Sequence, residues 1–391
     1  RGNYDALPAL LDRLETYITP WYPPKAELNR KRCAILDACK ASGSTAAPGV
    51  YTLTVPTGGG KTTAAMAFAL TAAVQNCMSR VIYAAPYTSI IDQNADTFEK
   101  IFGTENVIEH HSSAEYLFSE SPNPAEYRKM LAAENWDAPV IATTTVQLFE
   151  SLFASKPARC RKLHNLANSV LILDEVQTLP MPYLKPFTAA LAELARKYGV
   201  IVVLQAAGRC NREGKRPLDE SLVTVFTVQN TTPPPYMRQP AAAMKNISKR
   251  MEDITSLAAI RAYFEFYRDL YGKEDLDREK ILIAFENEML PFASVAEKVR
   301  VIESCTTPVY IPIDQGEALV EQLYRGERSR TLFRKLGQYS VNVYPQQLAA
   351  LREAGAVQSI DGGALYVLAD PRRYDSALGL TLDQTETALF I

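Results

Sequence analysis

The run YTLTVPTGGGKTTAAMAFAL, residues 51–70, limits this chain's fold more than any other stretch. An apolar strand leads into three consecutive glycines and then into an alanine-rich helical stretch. A glycine turn between strand and helix lets backbone N–H groups wrap an anion, and the helix beginning at Lys61 turns its positive end to the same point. Thr57, Gly58, Gly59, Gly60, Lys61, Thr62 and Thr63 therefore form the candidate cradle for ATP. Lys61 is placed to reach the outer phosphates and Thr62 to hold Mg2+. Val55 stands where the general consensus has glycine, so the match is to the helicase variant of this loop.

The segment around this loop has a matching rhythm. From about Pro48 to Leu204, the runs YTLTV, VIYAA, PVIA, SVLIL and VIVVL read as strands buried on both faces. Amphipathic stretches separate them, which predicts an α/β fold built on a doubly wound parallel sheet. SVLILDEVQTLP sets Asp174 and Glu175 at the carboxyl end of one such strand, the edge where open α/β sheets bind ligands. Asp174 is expected to hold the Mg2+ and Glu175 to orient and deprotonate an attacking water.

Two further strand-to-helix turns follow the same plan. APYTSIIDQ offers Pro86, Tyr87 and Thr88, and IATTTVQLFESLF offers Thr144 and Thr145. Hydroxyls and backbone N–H groups at such turns suit the phosphates of a single strand, gripping without reading sequence. Each turn is equally consistent with simple helix capping. QAAGRCNREG then brings Gln205, Arg209 and Arg212. The two arginines, three apart, share a helix face and suit transition-state charge on a γ-phosphate.

Taken together, VPTGGGKT, APYTSIIDQ, EHHSS, TTTVQLFESLF, DEVQ and QAAGRCNREG, with FASVAEKVRVIES from Phe292, resemble the CRISPR-associated helicase-nuclease of type I systems. The resemblance is close from about Lys25 to Arg216, and DEVQ with EHHSS leans toward the type I-C subgroup. It implies a RecA-like first lobe, a second RecA-like lobe and an ATP-driven translocase on single-stranded DNA. It also implies recruitment by the Cascade surveillance complex with its CRISPR RNA, and an inhibitor protein is a further candidate partner. By the same resemblance, Lys61, Asp174, Glu175, Arg209 and Arg212 would be catalytic.

Two departures stand out. The family's HD-type nuclease needs several His and Asp ligands, yet the sequence holds three histidines and no His-Asp pair, so no nuclease domain is expected in this chain. The His110–His111 pair reads as a packing or strand-path element rather than a metal site. Secondly, the strand-like IVVL runs straight into QAAGRCNR, with no Gly, Pro, Asn or Asp from Val200 to Ala207 to make a turn. The expectation is a discontinuity between Leu204 and Gln205, where most of the second lobe is absent. The domains then read as 1–204, N-terminal helices plus first lobe; 205–228, a remnant of the second lobe; and 229–391, a Pro-rich linker (NTTPPPYMRQP) and a mostly helical C-terminal domain.

Composition adds exclusions. A formal charge of -2 gives no global basic signature, so any nucleic-acid surface is local, as in YRGERSRTLFRK from Tyr324 to Lys335. Six cysteines without paired spacing fit a reducing cytoplasm, and no apolar run is long enough for a membrane span. The Arg-Gly start points to a chain that begins inside a longer protein. An RNA helicase of the DEAD type and a nucleotide-dependent binding module lacking a full second lobe remain open alternatives.

Overall fold

The computed structural model describes residues 4–55, 59–111, 131–206, 235–254, 256–272, 274–286, 291–301, 306–375 and 379–381. These residues group into two compact units, one reaching to Val301 and the other comprising mainly the residues from Ile302 onward.

The first unit is built on six parallel strands: β1 (Gly49–Thr54), β2 (Arg80–Ala85), β3 (Val107–His110), β4 (Val140–Thr144), β5 (Ser169–Leu173) and β6 (Ile201–Ala206). Their order across the sheet is β1-β6-β5-β2-β4-β3. Strand periodicity sends alternate side chains to opposite faces. Val81, Tyr83, Val140, Ala142, Val170 and Ile172 enter one core, shared with helices α1 (Leu7–Ile18), α2 (Glu27–Ser44), α3 (Lys61–Gln75) and α4 (Thr88–Phe102). Ile82, Ala84, Ile141, Leu171 and Leu173 enter the other, shared with α5 (Thr145–Leu152) and α6 (Leu184–Lys197). Both faces are thus covered, as the continuous apolar runs predict.

Helix α3 is buried almost all round, through Ala64, Ala65, Met66, Ala67, Phe68, Ala69, Leu70, Ala72 and Ala73. Its small side chains let α2 approach closely. A Cβ on Gly43 would stand 2.6 Å from the Phe68 carbonyl oxygen, so the crossing requires glycine there. The helix that follows the glycine loop is consequently held between the sheet and the N-terminal helices.

Beyond β6, α7 (Pro235–Arg250), α8 (Leu257–Leu270), α9 (Ile281–Glu286) and α10 (Phe292–Lys298) complete this unit. Tyr183 donates its hydroxyl proton to the Lys298 carbonyl at 2.9 Å, and Asp277 accepts from the Ile281 and Leu282 amides at 2.8 and 3.0 Å. The expected linker is shorter than its proline content implied. Pro235 opens a helix, where a missing N–H costs nothing, and Pro240 lies within that helix.

The second unit carries β7 (Thr307–Tyr310), α11 (Gln315–Tyr324), α12 (Arg330–Gly337), β8 (Ser340–Val343), α13 (Pro345–Glu353), β9 (Val357–Ile360) and β10 (Leu365–Leu368). The four strands pair in the order β8-β7-β10-β9, with β7 and β10 parallel and both outer pairs antiparallel. One face packs on α11 and α12 through Val320, Leu323, Leu332 and Leu336. The other packs on α13 through Leu351. Residues beyond the linker are mostly helical, as expected, but the tail is a packed α/β unit of its own.

The expected discontinuity between Leu204 and Gln205 is not found. Both belong to β6, where Leu204 pairs with Thr52, Gln205 with Leu53 and Ala206 with Thr54. No turn residue is needed at that point because the strand does not end there. The unit boundary near Val301 also differs from the expected divisions at 204 and 228. Arg209, Arg212 and the candidate strand SLVTVFTV lie outside the described residues.

Candidate active site

The carboxyl ends of the six strands share one edge of the sheet, and the predicted motifs gather there. Thr57 and Gly58 lie outside the described residues, while Gly59 is buried and Gly60 caps α3. Gly60 has φ 73° and ψ 35°, a left-handed conformation that costs a side chain with Cβ roughly 1–2 kcal/mol. Its carbonyl accepts from the Ala64 amide at 3.0 Å, so the helix begins at Lys61 and leaves its first amides directed at the loop. Lys61, Thr62 and Thr63 are half-buried in that first turn.

Asp174 follows β5 and is buried. Its amide donates to the Ala84 carbonyl at 2.8 Å, extending the pairing of β5 with β2 by one residue. One carboxylate oxygen accepts from the Glu175 amide at 2.8 Å, and the other accepts a short bond from the Tyr83 hydroxyl. Tyr83 is fully buried in β2 and takes a bond from Asn94 Nδ2 on α4 at 2.8 Å. One phenolic hydroxyl therefore connects Asp174, just after β5, with Asn94 of α4. Neither Tyr83 nor Asn94 was a candidate from sequence. A tyrosine inside an otherwise aliphatic strand was the available signal.

Glu175, next along the chain, is half-buried at φ 49° and ψ 43°. A non-glycine residue in this region is held by its surroundings. Its carbonyl caps the following turn, accepting from the Thr178 amide at 2.9 Å, and its carboxylate accepts from the Gln177 side chain. The twist turns Glu175 away from the strand direction while Asp174 stays fixed in the sheet.

Burial pushes the Asp174 carboxyl above its ordinary value, and the Glu175 charge adds to this. The Tyr83 hydroxyl, the Glu175 amide and Lys61 pull the other way without cancelling it. In the unfolded chain the group titrates near 3.8, so the folded state holds the proton to higher pH. Stability accordingly falls as pH rises through that window, and the cost persists at neutral pH. Asp174→Asn is expected to stabilise the metal-free protein at neutral pH by roughly 0.5–2 kcal/mol. Urea unfolding should show this gain shrink below about pH 4, where both states are protonated. A variant less stable than wild type at neutral pH would mean that the bond from Tyr83 outweighs the burial cost.

Between the ends of β1 and β5 lies the end of β6. Gln205 is 1% exposed there, and its side-chain oxygen has no hydrogen-bond partner among the described residues. A buried orphan acceptor beside a helix N-terminus and a buried carboxylate suits a site that gains donors on binding. The set of Gly60, Lys61, Thr62, Asp174 and Gln205 fits a nucleotide with its divalent ion.

The other two motifs are neighbours, because Ala85 of β2 pairs with Thr144 of β4. Pro86 is half-buried, Tyr87 is exposed at the N-cap of α4, and Thr88 is that helix's first residue. The Thr144 hydroxyl accepts from the Gln147 amide at 3.2 Å, capping α5, and Thr145 is buried. In the second unit, Arg328 of the basic-aromatic segment forms a two-pronged bond to Asp361 at 2.7 and 2.9 Å.

The six-stranded order, the glycine turn after β1 and the acidic pair after β5 define the RecA-like fold of a helicase domain. Residues 38–204 match the family model for DEAD/DEAH box helicases. Over 230 residues, half of this chain, the sequence is 32% identical to the CRISPR-associated nuclease/helicase Cas3 of Haloferax volcanii. The chain spans about a quarter of that relative's length, 24%. A crystal structure of T. fusca Cas3 with ADP is similar with a TM-score of 0.39 and 20% identity, covering 53% of this chain and 25% of that one. The Pyrococcus furiosus Hef helicase domain is similar with a TM-score of 0.28 and 17% identity, covering 83% of this chain and 68% of that one. Among the described residues, no helix is long and apolar enough to cross a membrane.

Proposed function

We propose that this chain is the ATP-hydrolysing helicase part of a CRISPR type I interference nuclease/helicase, on the I-C side of that group, and that it moves along single-stranded DNA. The observation that carries this reading is the shared Tyr83 hydroxyl. It joins Asn94 of α4 to the buried Asp174 at the sheet edge where the glycine loop lies.

Backbone amides from Thr57 to Gly60 would hold the phosphates, with Lys61 against the outer ones and Thr62 and Asp174 on the Mg2+. Thr63 and Gln205 complete the binding set. An ion held by Thr62 and Asp174 would supply positive charge against that building on the transferred phosphoryl group. Glu175 orients the attacking water and takes its proton, and its twisted backbone keeps its carboxylate clear of the metal-side Asp174. Arg209 and Arg212, which lie outside the described residues, would supply positive charge to the γ-phosphate.

Single-stranded DNA would follow the adjoining ends of β2 and β4. Tyr87 is 55% exposed, which suits stacking on a base, and Pro86 and Thr88 flank it. The first hydroxyl of the Thr144–Thr145 pair already caps a helix, so this pair is proposed to serve the strand through its backbone. Cascade with its CRISPR RNA would deliver the strand, the nuclease would act from another part of the protein, and an inhibitor protein would compete for these surfaces. The reading places the reaction in the cytoplasm.

The test is ATP hydrolysis by the full-length protein with no nucleic acid, single-stranded DNA or RNA. Single-stranded DNA should raise turnover at least about tenfold, since lobe closure on a strand completes the site. Stimulation by RNA alone would favour an RNA helicase. ATP binding without turnover under any condition would favour a nucleotide-dependent binding module.

A further inference from the structure

Tyr83 stands between aliphatic residues and alanines in β2 and pairs with Ile172 of β5, two residues before Asp174. Asp174 extends that pairing through its amide bond to Ala84, so strand alternation puts Ile172 and Asp174 on one face, about 6.6 Å apart along the sheet. The phenol spans this step. Its hydroxyl donates to one carboxylate oxygen of Asp174, and the other oxygen accepts from the Glu175 amide at 2.8 Å. Both oxygens are thereby held by a donor of the protein.

Helix α4 grips the tyrosine at two points. Asn94 and Phe98 are four residues apart and so share one face of that helix. Phe98 packs edge-on against the Tyr83 ring, with centroids 5.4 Å apart and planes at 78°, and Asn94 Nδ2 donates to the phenolic oxygen at 2.8 Å. An amide nitrogen cannot accept a proton and an ionised carboxylate cannot donate one, so the single phenolic proton is directed at Asp174. Accepting from Asn94 also polarises the hydroxyl and strengthens the bond that it donates. A phenylalanine would fill this core equally well. A hydroxyl buried in a strand is costly unless it is bonded, so packing does not account for this one or for its amide partner.

We propose that Tyr83 and Asn94 are positioning residues for Asp174, holding its carboxylate in the orientation that receives the divalent ion of a bound nucleotide. A carboxylate has about four lone-pair positions, and two protein donors on it leave the rest for the ion or its water. Groups behind a metal-side carboxylate set its orientation, and losing one typically weakens metal affinity by about 10–100-fold. Tyr83 acts on Asp174 directly, and Asn94 acts only through Tyr83. The inference rests on the nucleotide reading of Asp174 and adds to it two residues that lie outside its motifs.

The test is calorimetric titration of Mn2+ into the full-length protein loaded with ADP, alongside thermal unfolding of the nucleotide-free protein. Tyr83→Phe keeps the ring and should weaken Mn2+ binding at least about tenfold, while ADP affinity measured without metal stays near wild type. Asn94→Ala, a change at a half-buried helix position, should weaken Mn2+ binding several-fold. It should add nothing in the Tyr83→Phe background, where its effect has no route to Asp174. Asn94→Ala alone decides the matter if Tyr83→Phe does not fold. A purely structural role would lower the unfolding temperature of both variants and leave Mn2+ affinity unchanged, which would overturn the proposal. So would additive losses in the double variant, since Asn94 would then act by another path. Metal-dependent ADP binding by wild type that both variants preserve removes this inference alone, whereas wild type that binds ADP without regard to metal removes the nucleotide reading of Asp174 and this inference with it.

Discussion

Lys61→Ala is expected to abolish ATP hydrolysis, lowering turnover by a factor of roughly 10³ or more, the scale on which phosphoryl-transfer cations act. The half-buried Lys61 opens α3 and lies close enough to Asp174 to influence its titration. In the proposed reading, its ammonium is the cation that meets the outer phosphates. Alanine keeps the helix, since α3 is already alanine-rich and buried on its other faces. A hydrolysis assay with far-UV circular dichroism on the same sample separates loss of chemistry from loss of fold. Turnover within a few-fold of wild type would place the phosphates elsewhere.

Glu175→Gln should give a different failure. The amide keeps the size and the contact with Gln177 but cannot take a proton, so turnover should fall by about 10²–10⁴ while ATP affinity stays near wild type. Nucleotide binding should be measured directly, because KM and affinity coincide only when chemistry is slow. Equal losses of affinity and turnover would make Glu175 part of the binding set instead. Normal hydrolysis would remove the assignment of the acidic pair altogether.

Much of the first unit was legible because buried parallel strands are continuous apolar runs. VIYAA, SVLIL and the aliphatic start of β6 needed no partner to be recognised. Four-residue VIEH was passed over, being short and at the sheet edge with Glu109 facing partly outward. The strands of the second unit are as short, with burial that alternates irregularly, and only the run containing LYVL stood out. The misreading at Leu204 had another cause. QAAGRCNR, read as a motif of the second lobe, put the strand's end after the four aliphatic residues Ile201 to Leu204, whereas Gln205 continues pairing with Leu53 in the interior.

The site divides in the same way. Residues whose chemistry follows from a local motif, such as Lys61, Thr62, Asp174 and Glu175, could be named from spacing. Tyr83 and Asn94 could not, because their roles depend on which strand lies beside which and on how α4 sits over the sheet. His111 shows the limit most clearly. Its doublet with His110 read as packing or strand path, and its carboxylate neighbours come from Glu109 and from a helix roughly twenty residues earlier in the chain.

The shared hydroxyl of Tyr83 gives α4 a mechanical character. Thr88 and Asn94 are six residues apart on that helix, about 9 Å of rigid rod. A pull at the Thr88 end cannot be absorbed within two turns of hydrogen-bonded backbone, so it arrives at Asn94 as a displacement of the whole rod. Asn94 donates to the Tyr83 oxygen, and that hydroxyl in turn donates its proton to Asp174. Tension on a strand gripped at one end of α4 would thus be felt as a change in the bonding of a buried acid at the other, like a bell-crank with Tyr83 as its pin.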